Sequence, residues 1–273
     1  MNANCNPIGV FDSGAGGLSV LSELVQTLPH ETFLYFADSA NCPYGPKSPQ
    51  KVIELANCIT KFLLEKNCKL IVVACNTATA AAIDHLRNTF EIPFIGMEPA
   101  IKPASLSTKT KSIGVLATAG TFKGRLYIET SKKYASDVNV CYQIGDGLVE
   151  LVESGKAQSI ETETLLKKYV DPMIDCNIDH LVLGCTHYPF LKPILEKILP
   201  NGINIIDPAP AVAKQTQSIL EQNNLNNNCH SNPAINFYSS GSTEILKNLI
   251  NSSESLKRYP HKMLFIDNVV ICK

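Results

Sequence analysis

Two cysteines in this sequence sit in matching surroundings. One lies in Leu70-Ile71-Val72-Val73-Ala74-Cys75-Asn76-Thr77, the other in His180-Leu181-Val182-Leu183-Gly184-Cys185-Thr186-His187. Each stretch is an apolar run of strand length closing on a small residue, a cysteine and polar residues able to cap a helix. A thiol at the carboxyl end of a strand lies where open α/β sheets bind ligands. If a helix starts there, its free N–H groups and dipole favour the thiolate. Four chemistries compete for such a pair. Packing as small hydrophobes is the ordinary fate of a free cysteine, but it leaves both polar clusters unexplained. A redox dithiol usually comes from a close-spaced motif, and none is present. A covalent hydrolase needs one nucleophile, a base and an orienting group. Cys185 with His187 supplies part of that and leaves Cys75 idle. The fourth chemistry is proton transfer at a carbon, in which one thiolate removes a hydrogen from one face and the opposite thiol delivers one to the other. It uses both cysteines and inverts a stereocentre.

Helpers are at hand for that last chemistry. His187 lies two residues beyond Cys185, and Asp12 ends a strand expected beside the Cys75 strand. A free thiol, with a pKa of about 8.5, needs only modest assistance to act as a base near neutral pH.

The elements that must position these groups form a duplicated pattern. The cysteine stretches are 185 − 75 = 110 residues apart. Ile8-Gly9-Val10-Phe11 and its glycine turn reappear as Ile113-Gly114-Val115-Leu116, at an offset of 113 − 8 = 105. The first unit reads as strands at 8–11, 32–37, 70–73 and 94–96, with a helix after Gly17 and another opened by the cap Ser48-Pro49. The second reads as strands at 112–116, 138–143, 180–184 and 203–206, with helices at 122–134, 160–174 and 190–199. The chain then returns through a helix at 211–222, a strand at 235–238 and a helix at 243–250. The expectation is two pseudo-symmetric open-sheet α/β domains, residues 1–97 plus 207–273 and residues 98–206, with the active site in the cleft between them. Gly14-x-Gly16 with Asp38 resembles half a dinucleotide fingerprint, but Ser19 takes the third glycine's place and Asp12 would repel a pyrophosphate. Glu150 and Glu153, two acids near Gly155, could line a cleft, but solvated helix-surface carboxylates are the default reading. Residues 223–233 read as an asparagine-rich surface loop in which Cys229 and His230 are incidental.

Bulk properties narrow the partners. The chain has 273 residues, 45% hydrophobic and 18% charged, which suits two ordinary globular domains. A net charge of −1 without long single-sign runs argues against a nucleic-acid footprint or a basic membrane patch. The first seven residues lack a signal-peptide pattern, and no apolar run approaches membrane-spanning length. Ten cysteines without a Cys-x-x-Cys pair suggest reduced thiols in a cytosol and no zinc motif.

Asp12-Ser13-Gly14-x-Gly16-Gly17-Leu18-Ser19-Val20, Pro43-Tyr44-Gly45, Ala74-Cys75-Asn76-Thr77-Ala78 and Leu183-Gly184-Cys185-Thr186-His187-Tyr188-Pro189 together resemble the signature segments of the glutamate racemases. The match keeps that family's order and spacing to about Pro208 and is less distinctive beyond. The resemblance implies a cytoplasmic, cofactor-independent enzyme that interconverts L- and D-glutamate for peptidoglycan synthesis. It implies that Cys75 and Cys185 donate and accept the proton, assisted by Asp12 and His187. Asp12, Ser13, Tyr44, Gly45, Asn76, Thr77, Thr186 and His187 would contact substrate, with Thr118 and Thr121 nearby. No metal, nucleic acid or membrane is called for, and a homodimer is compatible. Only Arg87, Arg125 and Arg258 supply guanidinium groups, so hydroxyls, amides and helix-start N–H groups would hold the carboxylates. Two rivals stand: a racemase for aspartate, separated by pocket depth, and a non-catalytic binding protein, against which the intact thiols and helpers count.

Overall fold

A computed structural model describes residues 3–228 and 233–265. Cys229, His230 and the chain from residue 266 lie outside the described residues. Strands β1 (Ile8–Asp12), β2 (Phe33–Ala37) and β3 (Leu70–Val73) are buried at every position, as strands covered on both faces must be. With β4 (Phe94–Gly96) they belong to one parallel sheet. Helix α1 (Leu18–Thr27) covers one face, and α2 (Pro49–Glu65) and α3 (Asn76–Thr89) cover the other. Ser48 caps α2 as its sequence implies, its side chain accepting from Lys51 N–H at 3.3 Å.

The second sheet consists of β5 (Ser112–Ala117), β6 (Asn139–Ile144), β7 (His180–Gly184) and β8 (Asn204–Ile206), in the order β6-β5-β7-β8. Its helices are α4 (Ile101–Ser107), α5 (Ala119–Phe122), α6 (Arg125–Tyr134), α7 (Leu148–Glu153), α8 (Ile160–Asp175) and α9 (Lys192–Ile198). After α10 (Ala209–Gln222) the chain returns to the first sheet with β9 (Ile235–Ser239), α11 (Glu244–Ser252) and β10 (His261–Phe265). The completed order is β10-β9-β2-β1-β3-β4. The molecule is a two-domain α/β protein with parallel sheets. Neighbour relations repeat between the sheets: Ile8 pairs with Leu70, and Ile113 with His180. The repeat is imperfect where it matters, because Ala117 occupies the position equivalent to Asp12.

Several local expectations are corrected. The helix expected over 122–134 breaks into α5 and α6 at Gly124, where a Cβ would lie 2.5 Å from Ala80 Cβ on α3. The helix after Cys185 begins late: Tyr188–Leu191 forms a 3₁₀ turn and α9 starts at Lys192, because Pro189 and Pro193 remove two N–H donors. Cys5 is disulfide-bonded, which overturns the expectation of reduced thiols for that residue. A test of local spacing sees only close-spaced pairs. Cys42, Cys58, Cys68, Cys75, Cys141, Cys176 and Cys185 are free. Among the described residues no helix is long and apolar enough to cross a membrane.

At the amino ends of β2 and β3, Lys69 Nζ meets Glu31 Oε2 at 2.6 Å, with side chains 2% and 4% exposed. Lys69 also donates to Asn4 O at 2.7 Å. Lys69→Ala leaves a buried carboxylate without its cation and is expected to cost about 3–5 kcal/mol. Lys69→Met with Glu31→Leu should recover most of that loss in urea unfolding.

Candidate active site

The carboxyl ends of β1 and β3 meet those of β5 and β7, and polar contacts tie the two sides together. Ser19 Oγ donates to Thr186 O at 3.0 Å, Thr186 Oγ1 donates to Asp12 Oδ1 at 3.4 Å, and Thr77 and Thr118 hydroxyls lie 2.8 Å apart. Between them is a cavity of about 10 Å³ lined by Cys75 and Cys185 together. That is room for a single water, so a larger molecule enters only when the lining moves apart. A far larger cavity, about 1050 Å³, lies among β4, α4, α6 and α10 and contains neither thiol. Size therefore does not mark the chemistry here.

On the first side, Cys75 is the N-cap of α3, and Ala78 N–H points at its sulfur at 3.5 Å. Burial, and then the charge of Asp12, push this thiol well above the usual cysteine range. Asp12 is itself wholly buried, and burial raises its carboxyl against the pull of His187 and of Gly17 N–H, which donates to Oδ2 at 2.8 Å. Ser13 Oγ sits 3.7 Å from the Cys75 sulfur.

The second side is built differently. Because the helix starts late, Cys185 gains no α-helix N-terminus, contrary to the sequence expectation. Its partner is His187, with Nδ1 3.8 Å from the sulfur. The opposite ring nitrogen, Nε2, lies 2.6 Å from Glu153 Oε1. That carboxylate also accepts from Ala15 N–H at 2.6 Å across the cleft. Burial alone would lower the His187 imidazolium, but hydrogen bonds with Cys185, Cys42 and Glu153 outweigh it and hold the ring well above the ordinary histidine range. Glu153 is correspondingly low: burial works to raise it, and His187 prevails. An imidazolium donates at both nitrogens, so His187 can anchor on Glu153 while sharing its other proton with the Cys185 sulfur. Burial and the charge of Asp12 raise the thiol on one side, while on the other His187, held well above the ordinary histidine range, stands beside Cys185.

Of the residues singled out in the sequence, Ser13, Tyr44, Gly45, Cys75, Asn76, Thr77, Thr118, Cys185, Thr186 and His187 line the cavity. Asp12 and Thr121 stand behind it. Thr121 Oγ1 bonds Thr118 Oγ1 at 2.9 Å and donates to Gly184 O at 3.4 Å. Tyr44 contributes its ring, because its hydroxyl donates to Asp38 Oδ2 at 2.6 Å. Asp38 in turn accepts from Ser240 Oγ at 2.6 Å. Sequence reasoning missed Asp38 in this anchoring role, and it set Glu153 aside as a surface carboxylate although a cleft-lining role was open to it. Glu153 follows Val149 by one helical turn, but that Val149 lines the cavity is visible only in the structure.

Comparison with known proteins decides the family. The model of the Asp/Glu/hydantoin racemases matches residues 8–216. The chain belongs to this racemase family. A glutamate racemase of Stutzerimonas stutzeri is 49% identical over 220 residues, covering 80% of this chain and 83% of its own. Among solved structures, the glutamate racemase of Francisella tularensis in complex with D-glutamate superposes with a TM-score of 0.81 at 32% identity, covering 96% of this chain and 98% of its own. The glutamate racemase of Escherichia coli, in complex with L-glutamate and the activator UDP-MurNAc-ala, gives 0.83 at 32% identity, covering 95% and 97%.

One lining residue of this racemase bears directly on ligand binding. Asn76 is 3% exposed, and among the described residues neither its Oδ1 nor its Nδ2 has a partner. An unpaired buried amide costs about 1–3 kcal/mol, so a ligand that satisfies both atoms regains that energy. Asn76→Ala is expected to raise KM by about 10–100-fold, the value of a hydrogen bond to a charged group. The melting temperature of the free protein should not fall. A parental KM would remove Asn76 from the binding set.

Proposed function

We propose that this chain interconverts L- and D-glutamate by two-base proton transfer without a cofactor, the D-enantiomer serving peptidoglycan synthesis. The observation that carries the proposal is the pair of buried thiols on one cavity, each with a different ionisable helper. With L-glutamate, the Cys185 thiolate beside His187 takes the α-hydrogen, and the electron pair of the broken C–H bond stays on carbon. The Cys75 thiol then gives its proton to the opposite face. With D-glutamate the roles reverse, Cys75 acting as base with Asp12 at its side. Ser13, Tyr44, Gly45, Asn76, Thr77, Thr118, Thr121 and Thr186 make up the binding set in this proposal. Chiral analysis of purified protein incubated with L-glutamate, with L-aspartate and without added cofactor tests it. Turnover of glutamate supports the reading; turnover confined to aspartate, or dependent on pyridoxal phosphate, overturns it.

The proposal extends to domain limits of 1–97 plus 207–273 and 98–206, which the strand membership of the two sheets favours. It extends to a cytoplasmic setting and a homodimer. Seven free cysteines among the described residues favour a reducing compartment, and the bonded Cys5 is the observation against it.

A further inference from the structure

A third thiol stands behind His187. The ligand atoms of Cys42, Glu153 and His187 all lie within 4.8 Å of one another. Cys42 belongs to the loop after β2, whereas Glu153 ends α7 and His187 follows β7, so the trio spans both domains. The backbone beneath makes room for it. A Cβ on Gly14 would lie 2.1 Å from Glu153 Oε1 and 2.9 Å from Cys42 Sγ. Cys42 and Glu153 also line a separate cavity of about 220 Å³ that excludes both Cys75 and Cys185. An ion therefore has a route to the trio that does not cross the catalytic cavity.

We propose that Cys42, Glu153 and His187 form an inhibitory site for Zn²⁺ or a similar thiophilic divalent cation. Sulfur, imidazole and carboxylate are the donors zinc takes, at about 2.0–2.3 Å, and three protein ligands leave a fourth position for water. Tetrahedral bonds of those lengths put donors roughly 3.3–3.6 Å apart. The His187–Glu153 hydrogen bond at 2.6 Å opens by less than about 1 Å, and the widest separation closes by a similar amount. On binding, the Cys42 thiol and the imidazolium release their protons to solvent. Bound through Nε2, His187 keeps its Nδ1 proton toward Cys185 but is tied to the metal and no longer to Glu153 alone. The metal also fastens the first domain's loop to the second domain, holding shut a cavity that must open to admit substrate. The inhibition rests on the racemase reading, whereas the binding does not.

Cobalt(II) reports on the site without any assay of activity. One equivalent added to the metal-free protein should give thiolate-to-cobalt charge-transfer absorption and the intense visible bands of four-coordinate geometry, and zinc should displace both. The signal should survive Cys75→Ala and Cys185→Ala and disappear in Cys42→Ala and in the closer isostere Cys42→Ser. In the racemase assay, zinc should inhibit the parent reversibly, with activity restored by EDTA. Each Cys42 variant, measured against its own zinc-free rate, should need about 100-fold more zinc, because even changes behind metal ligands cost 10–100-fold. A cobalt signal that persists without Cys42, or one that depends on Cys75 or Cys185, overturns the site. A cobalt signal confined to Cys42 in a protein that does not turn over glutamate would overturn the racemase reading and leave the site standing.

Discussion

Cys75→Ala is expected to abolish racemisation in both directions, by at least about 10³-fold given what a positioned acid or base contributes. One of the two faces of the α-carbon then has no proton donor. The loss should nevertheless be one-sided at the level of bond breaking. Cys185, His187 and Glu153 are untouched, so the variant should still exchange the α-hydrogen of L-glutamate with deuterated solvent, slowly and with retention. D-glutamate should show no exchange. Cys185→Ala should give the mirror result, exchanging D-glutamate alone. Proton NMR in deuterium oxide follows the α-signal of each enantiomer directly. A Cys75→Ala protein that racemises at the parental rate would mean that a single base suffices, and the facing thiols would need another explanation.

Glu153→Gln is expected to slow turnover by about 10–100-fold, the range of a hydrogen bond between charged groups. Glutamine keeps the size of the side chain and an oxygen to accept from Ala15 and His187, but not the charge that holds the imidazolium. Because the two enantiomers have equal energies, kcat/KM must fall equally in both directions, so steady-state rates alone cannot locate the damage. Isotope effects can. With α-deuterated L-glutamate the primary effect should rise, since abstraction by Cys185 becomes the slower step. With α-deuterated D-glutamate it should fall, because delivery of the proton by Cys185 then limits turnover and abstraction by Cys75 comes to equilibrium. A merely structural role for Glu153 would move both effects together or neither, and that outcome would remove it from the relay.

The two thiols and their strands were legible because a doubly covered parallel strand must be an apolar run, and each run here stops at its cysteine. Asp12 could be placed beside Cys75 for the same reason, since β1 and β3 are neighbours in register. What escaped were contacts between residues far apart in the chain. Glu153 sits in a six-residue helix, and its partners Ala15 and His187 are 138 and 34 residues away. Nothing local distinguishes it from the exposed Glu150 one turn earlier. Cys42 was invisible for the same reason. Asp38 was weighed only against a nucleotide and set aside, although its service to Tyr44 and Ser240 depends on a hydroxyl 202 residues away. Helix α4 escaped because Pro103 lies within it and Ala100, a poor cap, precedes it.

The insertion of β9 next to β2 has a consequence for biosynthesis. On the ribosome β2 has no outer neighbour until residues 235–239 emerge, and the first sheet is complete only with β10, long after β2 has been made. Meanwhile β2 is an edge of Phe33, Leu34, Tyr35 and Phe36 with its hydrogen bonds open, the kind of edge that recruits other chains. The second sheet comes from one continuous stretch and can close on itself during that interval, as domains generally fold in units. The nascent protein therefore passes through a stage with one finished domain and one sticky half-sheet. Premature termination within or just after the second domain leaves the chain at that stage, which makes such fragments substrates for chaperones and proteases and not weakened enzymes.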